Sequence, residues 1–360
     1  MKVTIKMIAE EAGVSMTTVT NVLKNRTDRV SKEKIELIND IIKKYNYTPN
    51  MNARSLANSS SNLIGLLYHS VGGRIDFSDP FVSELLAGIE EKTKDNGYFV
   101  LVYNIETVDD VIKVQKNWKF EGFIIVGLSE NSFEEIHKNI PSDTPIVFVD
   151  THLTAEMEKE FINLPNRYII SSEDRQAGYE ATKFLISQGH RKIGFLGFTF
   201  NENEPGVINE RFYGFKKALQ ESSISFDYRF FFTDKEFEKI TDVLEEITAL
   251  VVSSDYLAIN LIHYLRMRGL YDKKKLSIIG FDDVSYAKFL DPPLTTIRLN
   301  QKNKGIIAFN LLNKAIHGES VDKITNLSGD LIVRESVTNV ASKIGKQARR
   351  KSEISTWACT

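Results

Sequence analysis

The stretch Thr4 to Asn25, TIKMIAEEAGVSMTTVTNVLKN, contains two short helical patterns joined by a tight turn. Apolar residues at helical spacing give the first pattern one apolar face, and Gly13 ends it where a helix needs a residue that tolerates positive φ. Ser15 can cap the second helix. The apolar side of that helix is formed by Val19, Val22 and Leu23. This spacing predicts a helix-turn-helix at the start of the chain.

The opposite side of the second helix is polar and almost uncharged. It carries Met16, Thr17, Thr20, Asn21 and Asn25. Small hydroxyl and amide side chains suit hydrogen bonds to base edges in the major groove of DNA, which makes this face a candidate reading surface. A small helical hairpin that caps a larger domain is the alternative, and these residues alone leave both interpretations open.

Length and charge distribution favour a DNA-binding head on a larger body. The chain has 360 residues, of which 42% are hydrophobic, so two or three domains with sizeable cores are possible. Residues 1–58 contain ten Lys/Arg and six Asp/Glu, a net charge of +4, and the remainder contains 36 and 42, a net charge of −6. A basic head on an acidic body indicates contact between the head and a polyanion.

Several classes of protein are disfavoured by what the sequence lacks. The single cysteine, Cys359, cannot form an intramolecular disulfide or a cysteine-based metal site. The N-terminus has no apolar secretory segment, and no apolar run is long enough to span a membrane. We therefore expect a cytoplasmic protein, and we predict neither a cofactor nor a metal.

A third helix is predicted after the polar loop at Asn25–Arg29, with Ser31 as its cap and Pro49 after its end. Residues 50–58, NMNARSLAN, could form a further short helix, but nine residues are too few for a stable helix in water. Leu56 is flanked by small residues and by Arg54, and an apolar wedge of this kind can open a base step in a minor groove. A simple linker is the alternative interpretation.

Together, TIKMIAEEAGVS, TVTNVL, RVS and YNYTPNMNARSLA resemble the LacI–GalR family of bacterial transcription regulators. The resemblance implies a homodimer with two recognition helices in successive major grooves of a pseudo-palindromic operator. It also implies paired hinge helices at the centre, with Leu56 of each subunit intercalated. The residues predicted to contact DNA are Thr4, Ser15, Met16, Thr17, Thr20, Asn21, Asn25, Tyr47, Ala53, Arg54 and Leu56.

The head departs from the family pattern at two positions. Met7 stands where many members have Asp, which removes one carboxylate from the first turn of the helix. Asn21 stands where Arg is usual. Arg prefers the O6/N7 edge of guanine and Asn prefers the N6/N7 edge of adenine, so we expect an operator shifted toward A·T at the base pair that Asn21 faces.

From Leu63 the chain alternates buried strand-like runs with helical patterns, which indicates parallel, doubly wound sheets. Two rounds of this alternation predict two lobes with a ligand cleft beyond the carboxyl ends of the strands. SQGHRKI and DPPLTTI are the most diagnostic segments of the resemblance in this half, which implies a periplasmic-binding-protein-like effector domain. The predicted fold is thus an all-α helix-turn-helix head plus an α/β two-lobed body.

The predicted domains are a head at 1–49, a hinge and linker at 50–60, an effector and dimerisation domain at 61–340 and a basic tail at 341–360. Lobe 1 is expected at about 61–166 and 297–325, and lobe 2 at about 167–296 and 326–340. The chain should switch lobes near 163–170, near 293–298 and near Asn326. The tail shows no leucine heptad, so a dimer is favoured over a tetramer.

The resemblance also implies which residues contact an effector. These are Tyr68, Phe81, Asp150, Arg211, Asp255, Phe281 and Asp282. Carboxylates and guanidinium groups form directional bonds to vicinal hydroxyls, and aromatic rings stack on the apolar face of a sugar. A strand-end Asp can instead be a helix cap, and Phe81 can belong to the core. Ser254 replaces a common Asn before Asp255.

The predicted function is a DNA-binding transcriptional repressor controlled by a small-molecule effector, expected to be a sugar or sugar derivative. A sugar-transport protein is an alternative, but the missing signal segment and the head argue against it. An enzyme is another, although the sequence contains no GxGxxG after a strand, no Walker A motif and no nucleophile–base pair. A phosphocarrier corepressor is a further possible partner that no feature demands.

Overall fold

A computed structural model of the chain describes residues 3–23, 26–47, 61–69 and 73–340. The chain divides into two compact units, Met1–Ser61 and Asn62–Thr360, which correspond to the head and the body. Asn25, the predicted hinge with Ala53, Arg54 and Leu56, and the tail at 341–360 lie outside the described residues. The predictions made for them therefore stay predictions.

The described part of the head contains three helices: α1 (Ile5–Ala12), α2 (Met16–Leu23) and α3 (Lys32–Lys44). Thr4 caps α1 through its side chain, and Gly13 ends that helix at φ 61°. Ser15 and Ser31 accept hydrogen bonds from the backbone amides three residues on, as N-caps do. A small apolar core joins the helices; its buried members are Ile8, Ala9, Ala12, Val19, Val22, Ile38 and Ile41. The predicted helix-turn-helix is confirmed.

Lobe 1 of the body is a parallel sheet with helices on its faces. Its strands are β1 (Leu63–His69), β2 (Phe99–Ile105), β3 (Gly122–Val126), β4 (Ile146–Val149), β5 (Arg167–Ser172) and β11 (Ile324–Leu327), in the order β11-β5-β4-β3-β1-β2. Its helices are α4 (Pro80–Asp95), α5 (Val108–Asn117), α6 (Glu130–Asn139), α7 (Ala155–Phe161) and α12 (Gln301–Ile316).

Lobe 2 repeats this arrangement. Its strands are β6 (Ile193–Gly197), β7 (Phe231–Thr233), β8 (Ala249–Val252), β9 (Ser277–Asp282), β10 (Thr295–Arg298) and β12 (Asp330–Ile332), in the order β12-β10-β9-β8-β6-β7. β12 is antiparallel to β10, and the other pairs are parallel. Its helices are α8 (Asp174–Ser187), α9 (Val207–Glu221), α10 (Phe237–Asp242) and α11 (Asp255–Met267). The predicted two-lobed α/β body is confirmed.

The chain changes sheet a few residues later than the sequence suggested. β5 pairs with β4 in the first sheet, so the first crossing follows Ser172 and not residue 166. β10 pairs with β9, which places the second crossing after Arg298. β11 pairs with β5, which places the third after Leu327. The apolar pattern locates the strands, but which sheet a strand joins depends on its pairing partner. None of the described helices is long and apolar enough to cross a membrane.

Candidate functional site

The exposed face of α2 is the candidate DNA surface. Met16 is 55% exposed, Thr17 is exposed, and Asn21 is half-buried on the same side of the helix. Val19 and Val22 face the core and fix the rotation of α2, so these three side chains point away from the head. The face carries one long apolar side chain, one hydroxyl and one amide, with no charge.

Other residues predicted to contact DNA already use part of their hydrogen-bonding capacity within the head. The Thr20 hydroxyl donates to the carbonyl of Met16 at 2.8 Å, which leaves it free only to accept. The Ser15 hydroxyl lies 2.9 Å from that of Thr18, and Thr4 accepts from the Met7 amide. Tyr47 packs against the core of the head, and burial raises its pKa.

In the body, the polar groups gather where the parallel strands end and the following helices begin. Asp150 follows β4 at φ 53° and is 7% exposed. Its two carboxylate oxygens accept hydrogen bonds from Nζ of Lys304 at 2.7 and 2.9 Å, and Lys304 is only 1% exposed. Lys304 lies in the first turn of α12, so this buried ion pair connects the start of α12 to the end of β4.

Arg211 is held rigidly within lobe 2. Its Nε and Nη2 both lie 2.8 Å from Oδ1 of Asp174, the first residue of α8. Its Nη1 donates to the carbonyl of Ser253, and its Cζ lies 4.7 Å from the ring centre of Phe281. Burial lowers the pKa of Arg211, but Asp174 and then Asp282 outweigh that effect and raise it. Arg211 is therefore a fixed cation with two N–H groups still to donate.

Asp282 ends β9 next to this group, at φ 104° and 7% exposure. Its Oδ1 accepts a hydrogen bond from Nε2 of Gln301 at 2.9 Å, and Gln301 opens α12. Burial raises the pKa of Asp282, while Arg211 partly offsets the increase. Among the described residues no donor is found for its second oxygen, Oδ2. Phe281 is fully buried, and its ring contacts the guanidinium group of Arg211 without being open to solvent.

The structure places Asp255 differently from the expectation of a rim contact. The residue is 0% exposed, its Oδ1 accepts from the Thr296 hydroxyl at 2.7 Å, and its Oδ2 accepts from the Val284 amide at 3.1 Å. Burial raises the pKa of Asp255 well above its usual value. These contacts tie α11 to the segments that follow β9, which is a structural role within lobe 2. The Ser254 side chain caps the same helix.

Two aromatic residues predicted near the effector lie at the other side of the cleft, in lobe 1. Tyr68, near the end of β1, and Phe81, at the start of α4, are both half-buried and pack against the lobe 1 core. Asp79 caps α4 by accepting from the Phe81 amide at 2.9 Å. Burial raises the pKa of Asp79 to about 6, with a further contribution from Asp282. The negative charge of Asp282, in lobe 2, is thus one of the groups that raise the pKa of Asp79, in lobe 1.

The site includes residues that the sequence analysis missed. Asp174, His152, Gln301 and Lys304 all belong to it, although none was predicted. Lys304 had a signal, because it interrupts an otherwise apolar helical stripe formed by Gly305, Ala308 and Leu312. No sequence signal marked His152 or Asp174, because their contact forms only when two lobes fold next to each other.

A polar cavity of about 570 Å³ lies between the lobes, beside His152, Asp174, Arg175 and Glu210. A second cavity, of about 300 Å³, shares all of these except Asp174, and Asn326 lines both. Several buried hydroxyl groups around them have no hydrogen-bond partner among the described residues; they belong to Thr151, Ser171 and Ser172. Polar groups of two lobes thus meet in a space large enough for solvent.

Comparisons with known proteins agree with this architecture. Residues 4–50 match the model of bacterial regulatory proteins of the lacI family, and residues 182–337 match the periplasmic binding protein-like domain. The transcriptional repressor PurR of Haemophilus influenzae (strain PittEE) is 30% identical over 354 residues, which cover 94% of this chain and 99% of that protein.

Solved structures show the same fold. The lac repressor dimer bound to operator and the anti-inducer ONPF matches with a TM-score of 0.78 and 23% identity, over 94% of this chain and 100% of that one. The transcriptional regulator CelR in complex with cellobiose matches with a TM-score of 0.65 and 21% identity, over 93% of this chain and 99% of that one.

Proposed function

Because the chain belongs to the LacI family of bacterial regulatory proteins, we propose that it represses transcription by binding operator DNA under the control of a small molecule held between its lobes. The chain is a DNA-binding transcriptional regulator with a helix-turn-helix head and a two-lobed effector body. Its relatives over nearly the full length are repressors rather than enzymes. A dimer on a pseudo-palindromic operator is the assembly that fits this function.

We propose that the base contacts come from the three free side chains of α2. Met16 offers an apolar surface for a thymine methyl group, and Asn21 offers an amide that pairs with the N6/N7 edge of adenine. Thr17 lies between them and can donate or accept. The uncharged chemistry of this face therefore supports an operator half-site richer in A·T than the one an Arg at position 21 would select.

Selection of bound sites from random DNA tests the assignment of Asn21. The unmodified protein should select adenine at the base pair that Asn21 faces, and Asn21→Arg should change that position to guanine. Thr20→Ser is the matched control, because its hydroxyl can keep the bond to the Met16 carbonyl; its selected motif should not change. Guanine selected by the unmodified protein, with no change in Asn21→Arg, would refute the assignment.

The effector proposed here is a carbohydrate or a carbohydrate derivative. The observation that carries this proposal is the pairing of a fixed donor with a fixed acceptor: Arg211 has two N–H groups left, and Asp282 has one oxygen left. Such a pair binds neighbouring hydroxyl groups directionally, and Phe81 supplies an aromatic surface for the apolar face of a ring. The cellobiose complex of CelR shows that the same fold accommodates a sugar.

Thermal-shift screening of a carbohydrate panel, followed by calorimetry on the compound that stabilises the protein, tests the effector site. Asp282→Asn and Arg211→Ala should each weaken binding by at least tenfold, because each removes a charge-assisted hydrogen bond. Asp255→Asn should leave affinity unchanged, since that carboxylate is enclosed within lobe 2. Unchanged affinity in both of the first two variants would remove them from the site.

Regulation in this proposal arises from a linkage between the cleft and the hinge. A ligand that prefers one arrangement of the lobes changes the separation of the two hinge segments in the dimer, and so the free energy of folding residues 50–58 on DNA. Those residues lie outside the described part of the chain. A gel shift with the selected DNA, in the presence and absence of the stabilising sugar, tests the linkage directly.

A further inference from the structure

A short chain of polar contacts joins the two lobes beside the proposed effector site. His152 lies in the loop that follows β4 in lobe 1, and its Nε2 is 3.3 Å from Oδ2 of Asp174 in lobe 2. The other oxygen of Asp174, Oδ1, holds Arg211. We call His152, Asp174 and Arg211 the inter-lobe relay.

The contact between His152 and Asp174 is buried. Nε2 of His152 and Oδ2 of Asp174 lie 3.3 Å apart, and neither atom makes a hydrogen bond of good geometry within the described residues. The side chain of Asp174 is 0% exposed, that of Arg211 is 5% exposed, and that of His152 is 15% exposed. Because each of these buried atoms faces the other, their contact is favourable only when Nε2 carries a hydrogen.

The charges around His152 favour its cationic form. The charged groups that face it from its own loop, from α7, α9 and α12, and from α8 with its N-cap are Asp150, Glu158, Glu173, Asp174, Arg175, Glu210, Arg211, Lys217 and Lys304. Arg175 is committed to Glu210 at 2.7 and 2.9 Å, and Lys304 is committed to Asp150. The five carboxylates outnumber the four cations, so one further positive charge neutralises the group.

We propose that His152 and Asp174 are positioning residues that couple closure of the cleft, and the placement of Arg211 within it, to the uptake of one proton by His152. This inference rests on the proposed function, because it concerns the cleft in which the effector would bind. It adds a second ligand to the proposed effector, namely a proton that binds to His152 and not to the effector site.

The electrostatics of the closed arrangement agree with this role. Burial lowers the pKa of His152, but the nearby carboxylate of Asp174, together with Asp150 and Glu210, outweighs burial and raises it above the ordinary value. In an arrangement of the lobes that takes His152 away from Asp174, this increase is lost. The closed form is therefore favoured below the ordinary histidine pKa, and this advantage disappears as the pH rises through the higher pKa of the closed form.

The first experiment follows the relay by NMR in the full-length protein without any effector. The Cε1–H signal of His152 should titrate above the ordinary histidine value of 6.5. His263, which is exposed on α11, serves for the control variant. The Nε–H signal of Arg211 should shift over the same pH range. In His152→Gln, which keeps an amide donor but cannot bind a proton, the Arg211 signal should no longer respond. In His263→Gln it should respond as before.

The second experiment measures closure itself by fluorescence energy transfer between Lys116→Cys and Lys235→Cys, one on each lobe, in a Cys359→Ser background. Labelled subunits are diluted with unlabelled ones so that transfer reports on one subunit. One coupled proton changes the ratio of closed to open forms by up to about tenfold per pH unit in the range where His152 titrates. Transfer should increase as pH falls in the unmodified protein and stay constant in His152→Gln.

A His152 signal that titrates at or below the ordinary value of 6.5 would overturn the proposal, as would a pH response of Arg211 or of energy transfer that persists in His152→Gln. Asp174→Asn should lower the titration midpoint of His152, and if that variant does not fold, the His152→Gln results still decide. Because neither experiment contains an effector, failure here leaves the carbohydrate proposal standing. Failure of the carbohydrate screen likewise leaves the relay to be judged by these measurements.

Discussion

The two lobes use the same helix packing at the cleft but pair their buried charges differently. In lobe 2, α8 and α9 meet at Gly178 and Gly214, where an added Cβ would lie 2.1 and 2.0 Å from a backbone carbonyl oxygen of the other helix. In lobe 1, α4 and α12 meet in the same way at Gly88 and Gly305, at 2.0 and 2.2 Å. Each lobe therefore brings two helix N-termini together at the cleft.

The first helix of each pair starts at an acid, and the second carries a cation in its first turns. In lobe 2 these residues are Asp174 and Arg211, which pair with each other. In lobe 1 they are Asp79 and Lys304, but Lys304 bonds to Asp150 at the end of β4 instead. Asp79 is left without a cation among the described residues. Similar backbone packing thus gives lobe 2 an ion pair between its two helices, Asp174 and Arg211. In lobe 1 the cation pairs with a strand-end acid instead, and Asp79 is left near other negative charges.

The largest predicted effect is on the pair that depends on the strand. Lys304→Met should destabilise the protein by about 3–5 kcal/mol, because it leaves the carboxylate of Asp150 buried without its cation. The double variant Lys304→Met/Asp150→Asn should recover most of that loss, since both charges are then absent. Denaturant unfolding at pH 7 measures both values. A loss below about 1 kcal/mol in the single variant would show that Asp150 finds another partner or water.

The next prediction concerns the helix packing that the lobes share. Gly214→Ala and Gly88→Ala should each destabilise the protein by about 1–3 kcal/mol, because the new methyl group meets a backbone carbonyl that cannot move without separating the helices. Helix propensity alone would favour alanine by about 1 kcal/mol, so the sign of the change distinguishes close packing from propensity.

Gly206→Ala is the matched control for the packing prediction. Gly206 is the residue before α9, where an added Cβ would first meet Asn209 Oδ1 at 3.4 Å. Its stability should change by less than 1 kcal/mol. Similar losses in Gly214→Ala and Gly88→Ala would support the equivalence of the two helix pairs. A stabilising effect in either one would break it.

The alternation of strands and helices could be predicted because runs such as residues 64–70 and 122–128 are apolar and short, with glycine or polar residues between them. The charge pairing could not. Lys304 and Asp150 are 154 residues apart, and although residues 297–325 were expected in lobe 1, no local pattern indicates that Lys304 meets the end of β4. Asp255 was predicted as a contact because it matches an acidic position at the rim of the family's cleft, but an acid near a strand end can equally turn inward, and here it does.

The smallest predicted effect is on the acid that has no cation. Burial raises the pKa of Asp79 from its ordinary value near 3.8 to about 6. Between these values the folded protein holds a proton that the unfolded chain has released, so stability falls as pH rises through about 4 to 6 and stays lower above that range. Asp79→Asn removes this ionisation, and the Asn side chain can still accept the hydrogen bond from the Phe81 amide. It should be more stable than the unmodified protein at pH 8, by about 1 kcal/mol after solvent screening, and equal to it near pH 4.

Asp174→Asn should respond to pH with the opposite sign, and this contrast is what separates the lobes. Burial raises the pKa of Asp174, but Arg211 and then His152 outweigh it and lower the pKa below its usual value. Its contribution is present above about pH 4 and is lost as pH falls. Denaturant unfolding of both variants from pH 4 to 8 compares them directly, with the exposed Asp322→Asn as control for a carboxylate outside the cleft. A gain in stability at pH 8 in both variants, or in neither, would mean that the acids at the two helix starts are electrostatically alike, and that the difference in pairing has no energetic consequence.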